Sequence, residues 1–166
     1  MSDPPGDGPG FPEPAAPRAG RPHMPGYGIS ADPEGILPWD WAVDLLNRVR
    51  THVVTSVRPD GRPHDMPVWG LWHEGAYWFS TAITSVKSRN LLAEPRCVVT
   101  VTGGDDAAVL EGRAELSPLP PGFTEAYRTK YGETIEEGPI WLVRPTVAFA
   151  FQATAAFPTS ATRWRF

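Results

Sequence analysis

Cysteine is almost missing from this chain. Cys97 is the only one among 166 residues, so no intrachain disulfide can form and the composition fits a reducing compartment. Long apolar runs are missing as well: none approaches the roughly 20 residues that a membrane-spanning helix needs. The N-terminus lacks the basic-then-apolar order of a secretory signal, and the expected location is cytoplasmic. Charge of one sign does not dominate. With 15 Lys and Arg against 19 Asp and Glu, the net charge is −4 and the pI is near 5.5. That balance excludes a global basic field of the kind that draws nucleic acid or anionic membrane. Any anion site must be local.

Metal-ligand sets are lacking too. His52, His64 and His73 do not recur at metal-site spacing, and a single Cys leaves a zinc or iron cluster short of ligands. There is no glycine-rich phosphate loop and no nucleophile elbow, and "PDGRP" (59–63) is turn chemistry. A hydrophobic content of 41% and a charged content of 20% describe an ordinary globular protein, long enough for one domain with its own core.

What is present divides unevenly. Residues 1–35 hold nine of the 20 prolines and seven of the 16 glycines, with few large apolar side chains. Such a segment cannot bury enough surface to offset its ordering entropy, so most of 1–35 is expected to be a disordered tail, with residues 1–25 dispensable. Tyr27 and Ile29 are its candidates for local docking. The folded domain is expected over 36–166. It opens with a helix over 38–50, whose Trp39, Ala42, Val43, Leu46 and Val49 recur at helical spacing.

Strands follow. "THVVTSV" (51–57), "HDMPVWGLW" (64–72) and "AYWFST" (76–81) read as a three-stranded antiparallel meander, joined by the turns "RPDG" (58–61) and "HEGA" (73–76). Pro67 predicts an edge or a bulge for the second of them. After a helix over 85–94, stopped by Pro95, "RCVVTV" and "AAVLEGRAEL" pair across "TGGDD" (102–106). "FTEAYRTKY" (123–131) reads as a helix, and "TVAFAF" (146–151) and "TRWRF" (162–166) as late strands. Many antiparallel strands with a few short helices predict a small β-barrel that uses helices as plugs.

The helix over 85–94 breaks a rule of helix electrostatics. Its opening turn carries Lys87 and Arg89 and no acid, although a helix start is partially positive and favours Asp or Glu. Ser85, Lys87, Ser88 and Arg89, together with free backbone N–H groups, would make a receptor for a phosphate, whose charge the helix start lacks. The alternative is that both cations point into water, where the penalty is a few tenths of a kcal/mol.

The strand "MPVWGLW" (66–72), the strand "YWFST" (77–81) and "SVKSRNLLAEPRCVV" (85–99), in that order, resemble the pyridoxamine 5'-phosphate oxidase-like split-barrel superfamily. More closely they resemble its flavin/deazaflavin oxidoreductase branch. "RPDGRPHDMPVW" (58–69), the spaced "K..N" of Lys87 and Asn90, and the closing "FPTSATRWRF" (157–166) share the likeness. It implies a mainly β fold, a split β-barrel with a few short helices. It also implies a homodimer with a flavin-type cofactor, FMN or coenzyme F-420, in a groove between subunits. By position, Val68, Trp69 and Gly70 would line the ring. Ser80, Thr81, Ser85, Lys87, Arg89 and Asn90 would hold the ribityl chain and phosphate. Trp164, with Arg163 and Arg165, would reach in from the second subunit. True pyridoxamine 5'-phosphate oxidases open the cofactor strand with Arg and close it with Lys, where this chain has Pro67 and Trp72. Their C-terminal Arg-x-His clamp is also absent from "RWRF" (163–166). Vitamin B6 oxidation is therefore not expected, and coenzyme F-420 gains against FMN.

Three functions stay open at this point. The first is an oxidoreductase that transfers hydride to or from a small conjugated organic molecule. In such chemistry the ring carries the reactive atom, so no catalytic acid, base or nucleophile is assigned. The second is a non-catalytic flavin, deazaflavin or haem carrier or sensor, and the third a dimeric interaction module with a vacant groove. Cys97 reads as a small buried hydrophobe. His64 and Asp65 sit at a turn end and read as solvated. Phe123, Tyr127 and Tyr131 read as core, with one tyrosine able to touch substrate if their helix borders the groove. Glu133, Glu136 and Glu137 form an acidic, solvated loop.

Overall fold

The computed structural model describes residues 16–135, 140–152 and 155–166. Glu136 and Glu137 lie outside them. A short strand β1 (Arg18–Gly20) precedes helix α1 (Trp39–Arg48) and the strands β2 (His52–Val57), β3 (Pro63–Val68), β4 (Gly70–His73) and β5 (Ala76–Phe79). Helix α2 (Val86–Ala93) leads to β6 (Arg96–Gly103) and β7 (Asp106–Ser117). Then come helix α3 (Phe123–Tyr131), β8 (Ile140–Gln152), the one-turn α4 (Phe157–Ser160) and β9 (Thr162–Arg165).

All strand pairs among the described residues are antiparallel, and they form one continuous sheet. β2 pairs with β3 and β6, β6 with β7, β7 with β8, β8 with β5, and β5 with β4. Only Trp69 separates β3 from β4, so these two form one path that bends and changes partners. The fold is a mainly β split barrel with a few short helices. The expected meander over 51–81 is corrected on this point: among the described residues β3 pairs only with β2 and β4 only with β5. Pro67 lies on edge strand β3, where a missing N–H costs no ladder bond.

The late strand is longer than expected. It covers 13 residues and opens with Ile140, Trp141, Leu142 and Val143, all buried. A run buried on both faces shows no alternation, so it carries no period-two signal. Elsewhere the alternation is plain. His52, Val54 and Ser56 of β2 face inward, as do Cys97, Val99 and Val101 of β6. At Gly112 strand β7 shifts register against β8, and a Cβ there would collide with the Arg144 carbonyl. Helix α1 plugs the barrel with Ala42, Leu45 and Leu46, each fully buried. Cys97 is buried as expected, and burial pushes its thiol up to about 12, which makes it unreactive.

The expectation of a disordered tail to residue 35 fails for residues 16–35. Strand β1 pairs with β9, in register from Arg18 opposite Arg165 to Gly20 opposite Arg163. Arg21 then acts as a rivet. Its guanidinium donates to the carbonyls of Asp32 (3.1 and 2.6 Å), Glu34 (2.7 Å), Thr159 (2.5 Å) and Ala161 (3.0 Å). One side chain thus folds the Pro/Gly-rich segment back and ties it to the start of β9. Tyr27 docks beside Phe157, with ring centroids 6.1 Å apart.

Arg21→Ala should therefore lower stability by about 2 kcal/mol, since bonds made by a charged donor contribute about 1.5–3 kcal/mol and this one is partly solvated. Chemical denaturation reads this directly. A truncation starting at Pro22 should lose as much, and an unchanged midpoint in both variants would show that the segment is held by something else.

Candidate functional site

Gly70 opens β4 opposite Phe79, just past the bend at Trp69, and its N–H and C=O also meet side chains from outside the sheet. Buried peptide groups need partners, and helix α3 supplies them. The Tyr131 hydroxyl accepts from the Gly70 N–H (2.8 Å). It lies 2.7 Å from the Gly70 carbonyl and 2.9 Å from the Arg50 carbonyl, one of which takes its single proton. Lys130 Nζ donates to the Gly70 carbonyl (2.6 Å) and to the Leu46 carbonyl at the end of α1 (2.7 Å). A side chain at Gly70 has no room, because its Cβ would collide with the Tyr77 hydroxyl and the Trp78 carbonyl.

Tyr77 is fully buried and donates to His52 Nδ1 (2.6 Å). The proton of His52 must sit on Nε2, which faces the Val49 carbonyl at 3.0 Å. Burial, with Lys130 nearby, pulls His52 down to about 3, so the imidazole is neutral and structural. The same bend turns Trp69 outward. Its ring, 41% exposed, lies parallel to that of Tyr131 with centroids 4.9 Å apart. The Arg50 guanidinium stands 5.5 Å from the Trp69 centroid and 5.2 Å from that of Tyr131, and it caps α3 by donating to the Lys130 and Tyr131 carbonyls. An exposed indole, a phenol and a guanidinium meet at one place, a surface suited to a flat conjugated ring.

The start of α2 forms the second half of the site. Ser85 is the N-cap, its Oγ accepting from the Ser88 N–H (3.1 Å). Ser88 Oγ donates to the Ala82 carbonyl (2.9 Å) and accepts from Trp141 Nε1 (3.1 Å), so the turn is fixed to β8. The N–H groups of Val86 and Lys87 have no partner among the described residues. Lys87 is 5% exposed, its Nζ 5.8 Å from the Phe79 centroid, and it makes no ion pair with a described residue. Burial lowers its pKa. This is a partly desolvated cation beside free N–H groups, with no carboxylate among the described residues against it. It is not the solvated surface charge of the alternative reading.

The structure brings Thr81, Ser85, Lys87 and Asn90 together here, Thr81 Oγ1 donating to Ser85 Oγ (3.4 Å) and Asn90 Nδ2 to Ser56 Oγ (3.1 Å). Ser80 is exposed at the end of β5, and Arg89 is exposed and donates to the Thr84 carbonyl (3.3 Å). Val68 is buried in the core, so only its backbone can face a ligand. Trp164 is not brought to the site. It is 1% exposed inside its own barrel, edge-on to Trp39 at 5.2 Å. The expectation of a solvated His64 also fails: its ring is buried while Asp65, on the other face, meets the Thr55 hydroxyl. Phe123, Tyr127 and Tyr131 are buried as expected, Tyr131 also lying against Trp69, while Arg50 and Lys130 had been given no role. The four-residue recurrence of the α3 aromatics was the available signal, and it pointed to core.

The pyridoxamine 5'-phosphate oxidase family model matches residues 39–162. This chain belongs to that family. A solved structure described as an F-420 reductase is 27% identical, covering 63% of this chain and 93% of its own, with a TM-score of 0.53. A putative pyridoxamine 5'-phosphate oxidase from Listeria innocua is 18% identical over 66% of this chain and 94% of its own, TM-score 0.52. A haem-binding protein from Mycobacterium smegmatis is 15% identical over 72% of this chain and 59% of its own, TM-score 0.54. The last two share the fold. No curated protein matches the chain. No helix among the described residues is long and apolar enough to cross a membrane.

Within this family member, Lys130 has a titration of its own. Burial, with Arg50 adding repulsion, pulls it from 10.5 down to about 7. Between those values the unfolded chain holds the proton that the folded chain has lost, so rising pH favours the fold; below about 7 the full cost of the buried charge is present. Unfolding free energies of wild type and Lys130→Met, measured near pH 7 and near pH 10, should differ by an amount that moves in favour of wild type as pH rises. A difference that stays flat would place Lys130 in water.

Proposed function

We propose that this chain is a flavin-type oxidoreductase. It binds a tricyclic cofactor with a ribityl phosphate, FMN or coenzyme F-420, and transfers hydride to or from a small conjugated organic substrate. The observation that supports this most is Lys87: a partly desolvated cation with no carboxylate among the described residues, beside two unused N–H groups at a helix start. Such a cluster is matched by a phosphate oxygen set. The 27% identity to a structure described as an F-420 reductase points the same way.

The bound cofactor supplies the hydride chemistry at its ring. The chain's own part is positioning. Lys87, Ser85 and the N–H groups of Val86 and Lys87 hold the phosphate, while Thr81, Ser80 and Asn90 border the ribityl chain. Trp69, propped by Tyr131 and Arg50, and the backbone of Val68 and Gly70 border the ring. Pro67 carries no charge, and Trp72 packs edge-on against Trp39 at 5.1 Å. Neither holds an anion, so pyridoxamine 5'-phosphate is not the substrate.

The assembly we propose is a homodimer with the cofactor groove between subunits. The outer face of β7 and β8 supports it, since Val109, Val147, Phe149 and Phe151 lie there half-buried, the two Phe rings parallel at 6.5 Å. The cofactor-binding unit is 36–166 with the segment from β1 strapped onto it, and a cytoplasmic location suits an unpaired Cys97.

Titration of the purified chain with each cofactor, followed by its visible spectrum, tests the reading. Lys87→Ala should weaken binding roughly ten- to a hundredfold, the equivalent of one charge-assisted contact. Turnover with reduced cofactor separates an enzyme from a carrier. Pyridoxamine 5'-phosphate should not be oxidised, and tight binding of both cofactors by Lys87→Ala would remove the phosphate assignment.

A further inference from the structure

His64 is the one described residue with a buried side-chain nitrogen that has no partner. Its Nδ1 is sealed from solvent, the residue is 7% exposed, and no described group bonds to the ring. Its place in the fold is specific. His64 stands opposite Ser56 in the β2–β3 register, so the two side chains share the inner face. Ser56 Oγ accepts from Asn90, and Lys87 lies one turn before Asn90 on α2. His64 therefore borders the same space as Lys87 and the free N–H groups. Met66, next along this face of β3, is 44% exposed although His64 and Val68 on either side are buried.

We propose that His64 is a direct ligand of the anionic group held at the start of α2, donating through its ring nitrogen and taking up a proton as the anion binds. This rests on the reading of that site as a phosphate receptor. The groups facing His64 decide its protonation. Arg58 from the turn after β2 and Lys87 from α2 are cations, Ser56 and Asn90 are neutral, and Asp65 is the only carboxylate, on the opposite face of the strand. Burial and the two cations hold the free imidazole below its ordinary value, Asp65 opposing them, so it is neutral near pH 7. A phosphate between Lys87 and His64 reverses the balance and favours the imidazolium. The bound state then holds one more proton than the free state, and affinity rises as pH falls. The proton comes from solvent, and no covalent bond changes.

Calorimetry of the full chain with FMN, coenzyme F-420, riboflavin and inorganic phosphate, in two buffers of different ionisation enthalpy, reads the proton count. Wild type should take up protons with the phosphorylated ligands and none with riboflavin. His64→Gln keeps a hydrogen-bonding side chain without the titration. It should abolish most of the uptake, flatten the pH dependence and weaken binding roughly threefold to tenfold near pH 6.5. The phosphate's own ionisation is common to both proteins and cancels in their difference. Uptake unchanged in His64→Gln overturns the proposal. Weakening in Lys87→Ala with His64→Gln equal to wild type overturns this inference and leaves the phosphate site standing; no effect of Lys87→Ala removes the site itself. Should His64→Gln fold poorly, the imidazole resonances of His64 in wild type serve instead. They should titrate at higher pH with inorganic phosphate present, and an unmoved midpoint also overturns the proposal.

Discussion

The fold turns on the peptide of Gly70. Gly70 opens β4 immediately after the strand changes partners, and its buried N–H and C=O take bonds from α3. Unmade buried bonds cost about 1–3 kcal/mol each, so the break exists only because α3 meets it. Tyr131 and Lys130 supply that contact, and Arg50 ties the end of α3 to the same place. Lys130 itself is then a buried cation with two carbonyls and no carboxylate, which costs part of what the bonds contribute. The bend also decides exposure. Trp69 sits between the two strands, so its ring is not absorbed by either face and remains at the surface against Tyr131.

The α2 start shows the opposite economy. A helix that has only its own stability to serve would carry an acid in its first turn, and this one has none. It has a buried lysine, two idle N–H groups, and a neighbouring imidazole with an unbonded nitrogen. Each is a small local loss. They lie close together on α2 and the facing end of β3, and such concentrated departures from local rules are expected where a ligand completes the structure.

How much of this was legible in the sequence depends on which signal each element carries. Helix α1 announced itself by period, Pro67 by its missing donor, and the α2 start by charges of the wrong sign. The break at Trp69 was not legible, because "HDMPVWGLW" reads as one β-rich run and a change of partner is a tertiary event. Strand β8 was half-hidden because its first four residues are apolar on both faces. Composition misjudged residues 16–35: a Pro/Gly-rich segment needs no core of its own when one guanidinium can gather carbonyls from two distant stretches. Trp164 was misplaced because position in a resemblance says nothing about which way a strand residue faces. His64 was undervalued for the same reason, since a turn-end histidine and a buried one look alike until the register with Ser56 is known.

The two halves of the site lie at opposite ends of one strand. His64 begins the inner face of β3 and Trp69 follows its last residue, so at about 3.3 Å per residue they stand roughly 16 Å apart. Between them β3 has β2 on one side only, and every second peptide group along it faces away from that partner. A ligand that suits this arrangement needs a flat conjugated head for the Trp69 end, an anion for the α2 end, and a polar chain joining them past an open strand edge. Neither end alone selects such a molecule: stacking surfaces accept many aromatics, and a helix start accepts many anions. In the proposed reading selectivity would come from the fixed spacing, which is set by β3 being held at one end by its ladder to β2 and at the other by the bonds that Tyr131 and Lys130 make to Gly70.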